Sequence, residues 1–186
     1  MKKHLITLTG ALGSGKSSTA KKIASELGYS HFSSGDLFRS IAAERGLTIE
    51  EINIQAELEH EIDVAVDERL RQMGNDTDLV IDSRMAFHWI PDSFKVYLDL
   101  EPEAAAERIF KHIQEEGRVG ESGDSVAEIL TSIMARRASE RKRYENLYQI
   151  DTLDLTPFDL VINTALYPLE EVAEQVLTAY NEWLTH

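Results

Sequence analysis

Apolar and polar positions alternate along this chain in a way that predicts short buried strands separated by amphipathic helices. His4-Leu5-Ile6-Thr7-Leu8-Thr9 is a brief apolar run suited to a buried strand. Asp78 to Asp82, Phe94 to Asp99 and Phe158 to Asn163 have the same character, and Tyr29 to Phe32 gives a weaker fifth. Pro157 stands just outside the last run, where a missing N–H breaks no ladder. Between the strands the period changes to that of a helix. Residues 17–27 predict one helix ending at Gly28, and residues 36–44 another stopped near Gly46. Thr48 with Glu51 three residues on is a capping box. It opens a long helix in which Ile62, Val66, Leu70 and Met73 share one face, with Glu61, Asp63, Asp67 and Glu68 mostly off it. Pro102 opens a further helix, another runs from about Val126 to Tyr148, and a last one follows Pro168. That last helix carries Leu169, Val172, Val176, Tyr180 and Trp183 as a core stripe. Strands alternating with helices predict an α/β fold, its five-stranded parallel sheet covered on both faces. In such sheets ligands sit at the carboxyl ends of the strands.

The first strand end carries the strongest signal. Residues Gly10-Ala11-Leu12-Gly13-Ser14-Gly15-Lys16-Ser17 form a complete G-x-x-x-x-G-K-[ST] phosphate loop between a strand and a helix. Gly10, Gly13 and Gly15 are expected to allow backbone angles that a Cβ would forbid, so that successive N–H groups face one anion. The following helix adds its unpaired N–H groups and positive dipole end. Gly10 to Ser18, including Ser18, are therefore the expected triphosphate cradle. Lys16 is placed for the β- and γ-phosphates, and Ser17 for Mg²⁺ brought with ATP.

Two further strand ends carry candidate chemistry. After the second strand, Ser34-Gly35-Asp36 can cap the next helix, and Arg39 lies one turn in, where the dipole disfavours a cation. An arginine there implies a nearby anion. After the third strand, Asp82-Ser83-Arg84 places a carboxylate where it can hold Mg²⁺, directly or through water, and a guanidinium that can grip a second phosphate. An Asp–Arg ion pair is the plain structural alternative.

Composition sharpens this. The 186 residues fit one domain spanning residues 1–186. The chain has no cysteine, which excludes disulfides and thiolate metal sites. Its formal net charge of −14 argues against nucleic acid and acidic membrane as partners. No apolar run is long enough to span a bilayer, and a signal peptide would consume the phosphate loop, so a cytoplasmic location is expected; the chain is taken as a monomer, which the sequence does not itself decide. Against this acidic background Arg136, Arg137, Arg141, Lys142 and Arg143 crowd into one segment. Arg136, Glu140 and Arg143 share a helix face, and a polar stretch with Gly117, Gly120 and Gly123 precedes them. That pattern suits a lid, over about residues 112–143, that brings arginines to a migrating phosphoryl group and excludes water. The six histidines show no paired metal spacing.

Taken together these segments resemble the nucleoside monophosphate kinases, most closely the compact archaeal-type cytidylate kinases. The matches are the phosphate loop, Ser34-Gly35-Asp36-Leu37-Phe38-Arg39, Glu61-Ile62-Asp63 with Val66-Asp67, and Asp82-Ser83-Arg84. The fifth is the block running from Arg136 through Ser139-Glu140-Arg141-Lys142-Arg143-Tyr144 and Tyr148-Gln149-Ile150-Asp151 to Phe158–Thr164. The resemblance implies a three-layer α/β/α phosphate-loop NTPase fold with an acceptor-binding helical region at about residues 36–75. It implies Mg²⁺-dependent phosphoryl transfer from ATP to a nucleoside monophosphate, CMP or dCMP first. Lys16, Arg136, Arg143 and Glu140 would be catalytic, with Glu140 orienting the arginines. Ser34, Asp36, Arg39, Asp82 and Arg84 would bind the acceptor. Ser83 departs from the family's glycine, and Ala86-Phe87-His88-Trp89 follows in the region that shapes the acceptor pocket. The alternatives are a kinase of another small acceptor, such as AMP, UMP or a non-nucleotide, and an ATP-binding regulator with little turnover.

Overall fold

All five runs with strand character form strands, and all pair in parallel. A computed structural model describes residues 2–58, 61–116 and 125–186. The strands β1 (Leu5–Gly10), β2 (Ser30–Ser33), β3 (Leu79–Asp82), β4 (Phe94–Asp99) and β5 (Leu160–Asn163) lie in the order β2-β3-β1-β4-β5. Register aligns their carboxyl ends: Leu8 and Ser33 both face Asp82, and Gly10 faces Leu98.

The helices are α1 (Lys16–Leu27), α2 (Ser34–Arg45), α3 (Ile49–Leu58), α4 (Glu61–Met73), α5 (Ala86–Trp89), α6 (Pro102–Glu116), α7 (Val126–Tyr148) and α8 (Leu169–Thr185). Successive strand residues point to opposite faces, so Ile6, Leu8, Val96 and Leu98 pack on α1 and α8 through Ile23, Val176 and Tyr180. Leu5 and Ile81 face the other way and meet Leu70 and Met73 of α4, Phe87 of α5 and Tyr144 of α7. The sheet is thus sandwiched between two helical layers. At its β5 edge the cover fails, and Val161 remains 43% exposed.

Local signals in the sequence set several boundaries. Gly28 and Gly46 end α1 and α2 in the left-handed conformation. The Thr48–Glu51 box closes reciprocally: Thr48 N donates to the Glu51 carboxylate at 2.7 Å, and Glu51 N donates to Thr48 Oγ1 at 3.1 Å. Three expectations shift. The cap of α2 is Ser33, whose hydroxyl accepts from Asp36 N at 3.3 Å, and Ser34 is already helical. The long helix after Thr48 is described in two parts, α3 and α4, on either side of residues 59–60, which lie outside the described residues. The strand expected from Asp78 begins at Leu79, because Asp78 has φ 56° and cannot extend a strand. The four-residue α5 had too little period to be foreseen. The glycines proposed as lid hinges, Gly117, Gly120 and Gly123, lie outside the described residues. Among the described residues, no helix is long and apolar enough to cross a membrane.

Candidate active site

The phosphate loop leaves β1 and enters α1 through two left-handed glycines, Gly13 (φ 73°) and Gly15 (φ 80°). Gly10 is required for a different reason than the sequence suggested. Its φ is not left-handed, but a Cβ there would sit 2.4 Å from the Leu98 carbonyl oxygen. Ala11 N donates to that same oxygen at 3.0 Å, so close approach to β4 fixes where the loop departs.

Lys16 and Ser17 both turn to Asp82 at the end of β3. The Lys16 ammonium forms an ion pair and hydrogen bond with one carboxylate oxygen, and Ser17 Oγ donates to the other at 2.5 Å. Asp82 is 1% exposed, so its charge needs these partners. Burial pushes the Lys16 ammonium below the ordinary lysine range, Asp82 pulls it back up, and Arg84 opposes Asp82. The Ser17 hydroxyl and Asp82 carboxylate are hard oxygen donors side by side, a pair that fits Mg²⁺. The alternative, an Asp82–Arg84 ion pair, is not the arrangement found.

Arg84 instead reaches Glu140 of α7, Nε to Oε2 at 2.6 Å, and donates from Nη1 to the Gly10 carbonyl at 3.0 Å. Glu140 also accepts from Arg136 Nε at 3.0 Å. Burial alone would raise the Glu140 pKa; Arg84, Arg136 and Arg143 outweigh it and hold the carboxyl below the ordinary glutamate range.

The resulting cleft encloses about 470 Å³. The loop from Ala11 to Ser18 lines it, with Ser34, Arg39, Asp82, Arg84 and Arg136. Six cationic side chains face it against two carboxylates, Asp82 and Glu115. In a chain of net charge −14 that concentration makes an anion site.

Other expected residues fall differently. Arg39 has its anion within the helix: Nη2 lies 2.5 Å from Asp36 Oδ1, and both side chains are exposed. Asp36 does not line the cleft. Arg143 also stands outside the lining and is 6% exposed, with Nε 3.1 Å from Asp63 Oδ2 of α4. Asp67, one turn further along α4, accepts from the Tyr148 hydroxyl. Asp63 and Asp67, read from sequence as off the apolar face, are 7% and 4% exposed. They are buried because α7 brings polar partners to them. Ser83 is 3% exposed, and its hydroxyl accepts from Met85 N at 3.3 Å.

The crowded cations of α7 therefore take different partners within the protein. Helical rotation sends Arg136 to the cleft and Arg143 to α4, while Arg141 pairs with Asp151 at 3.2 Å.

Sequence reasoning missed Arg108. From α6 it donates to the Gly13 carbonyl at 3.2 Å and the Thr164 carbonyl at 2.9 Å, tying the loop to the residue after β5. Arg108, Lys111, His112 and Glu115 all line the cleft, and their i, i+3, i+4, i+7 spacing was the available signal.

Comparison with known proteins agrees with this construction. The family model described as an AAA domain matches residues 9–129. A cytidylate kinase of Pyrococcus horikoshii is 38% identical over 171 residues, covering 91% of this chain and 84% of the relative. A cytidylate kinase of Haloquadratum walsbyi is 38% identical over 183 residues, covering 95% and 90%. The solved shikimate kinase of Bacteroides thetaiotaomicron shares the fold, with TM-score 0.63 at 18% identity over 98% of both chains. The chain thus belongs to the AAA-domain family through residues 9–129 and to the cytidylate kinase family over nearly its whole length.

Proposed function

We propose that this protein transfers the γ-phosphoryl group of ATP to CMP or dCMP, giving ADP and the diphosphate. The Arg84–Glu140–Arg136 bridge carries this reading, because it brings a strand-end arginine and an α7 arginine to the same phosphate loop. The relatives named cytidylate kinases support CMP as acceptor.

In this reading the loop N–H groups and Lys16 hold the triphosphate, and Lys16 exchanges Asp82 for phosphate oxygens. Ser17 and Asp82 would hold Mg²⁺, which supplies charge neutralisation on the phosphates. Arg39 and Arg84 grip the acceptor phosphate, with Ser34 beside them. Arg136, held by Glu140, faces the migrating group, and Arg143 joins it by exchanging Asp63 for phosphate. The work is positioning and charge stabilisation, and no general base is required. Residues about 36–75 serve as the acceptor region and about 112–143 as the lid of a single-domain, monomeric, cytoplasmic enzyme.

The test is coupled ADP release with MgATP against CMP, dCMP, UMP, AMP, GMP and shikimate. Turnover concentrated on CMP or dCMP is expected. Preference for another acceptor would overturn the substrate, and ATP binding without turnover on any acceptor would favour the regulator.

A further inference from the structure

A second cavity shares Ala11, Leu12 and Arg84 with the phosphate cleft but is otherwise bounded by β4, α6, α7 and the loop at residues 152–158. It encloses about 60 Å³. Protein interiors rarely keep voids larger than a water. This one has room for a single ring and none for a nucleotide.

The wall is mainly aromatic. Phe158 packs with its ring centre 4.8 Å from Phe87 and 5.1 Å from Tyr97, and Ile133 and Leu100 complete the apolar surface. Two guanidinium groups line the same space. Arg84 is committed to Glu140 and the Gly10 carbonyl. Arg137 differs: it is half-buried, and among the described residues no carboxylate pairs with it. Asp154 at the rim is engaged elsewhere, accepting from Thr156 N at 2.9 Å. Burial and Asp99 raise the Tyr97 phenol pKa, and the fields of Arg137 and Arg84 oppose them. A half-buried cation beside an apolar void suits an anion carried on an apolar body.

We propose that this cavity is a second binding site, for a small monocyclic carboxylate, with the ring among Phe87, Tyr97 and Phe158 and the carboxylate paired with Arg137. The site is independent of the acceptor assigned to the phosphate cleft.

Benzoate is the probe. It is titrated into the methyl-labelled protein, with and without excess MgATP and CMP, while the Ile133 and Leu100 methyl resonances are followed. Saturable shifts that persist with the nucleotides present are expected, with at least a tenfold loss of affinity in Arg137→Gln. Ile133→Phe, which fills the cavity, is expected to abolish the shifts. The methyl spectrum itself reports whether each variant is folded, and Arg137→Gln decides if Ile133→Phe is not. Absence of saturable shifts, displacement by MgATP or CMP, or unchanged affinity in folded Arg137→Gln would each overturn the proposal.

Discussion

Arg84 Nε lies 2.6 Å from Glu140 Oε2, joining the end of β3 to the middle of α7 directly over the phosphate loop. Among the described residues, Glu140 is the only carboxylate in ion-pair contact with either Arg84 or Arg136. Glu140→Gln takes the paired carboxylate from both arginines, and breaking a buried pair in this way costs about 3 kcal/mol. A melting-temperature drop of about 6–12 °C is expected at pH 7. Because the folded pKa of Glu140 is depressed, its stabilisation is full above the unfolded value of about 4.3 and is lost as pH falls through the folded value. Thermal melts of wild type and variant should therefore converge in acid. An equal gap at all pH values would refute the ionised pairing.

Lys16→Ala removes the cation paired with Asp82, which the proposed reaction transfers to phosphate. A loss of roughly 10²–10³ in kcat is expected, the scale for deleting one preorganised donor. Steady-state kinetics with a folded-state check by circular dichroism measures it.

Arg39 and Asp36 form an exposed pair, which contributes little to stability. Arg39→Ala should shift the unfolding midpoint by less than about 0.5 kcal/mol while raising KM for the acceptor at least tenfold. An unchanged KM would remove Arg39 from the acceptor site.

Asp67 has the opposite pH sign to Glu140. Burial raises its pKa against the opposing hydrogen bond from Tyr148, so its contribution is most favourable below the unfolded value of about 3.9 and declines as pH rises through the folded value. Asp67→Asn keeps an acceptor for Tyr148 and removes the buried charge. It should stabilise the protein at pH 7, with the gain vanishing in acid. Denaturant unfolding at several pH values reads this directly.

Gly10→Ala tests the close approach of β1 to β4. The added methyl meets the Leu98 carbonyl at 2.4 Å, and overpacking of this kind costs about 1–3 kcal/mol. A melting temperature lowered by about 2–12 °C is expected.

Much of this arrangement was legible in the chain. The phosphate loop is a local device, and local spacing announces it: two positive-φ glycines and the Lys-Ser pair must be contiguous to surround one anion. Helix ends were legible for the same reason, since Gly28, Gly46 and the Thr48–Glu51 box act within a single turn. Arg108 was not legible as a loop-holding residue, because its partners Gly13 and Thr164 are distant in sequence. The burial of Asp63 and Asp67 was not legible, because a helix pattern cannot say which polar residues another helix will cover.

Periodicity and turn chemistry are local, so the order of the strands and longer helices, the parallel sheet and the phosphate loop were all written in the chain. The sequence also supplied the cations of α7. Only the tertiary structure decided where those cations go. Side chains one position apart on a helix point about 100° apart, so Arg136 and Arg137 face different cavities, and Arg143 meets Asp63 rather than the loop. That division depends on how α7 lies against β3, α4 and the phosphate loop, which long-range packing alone fixes.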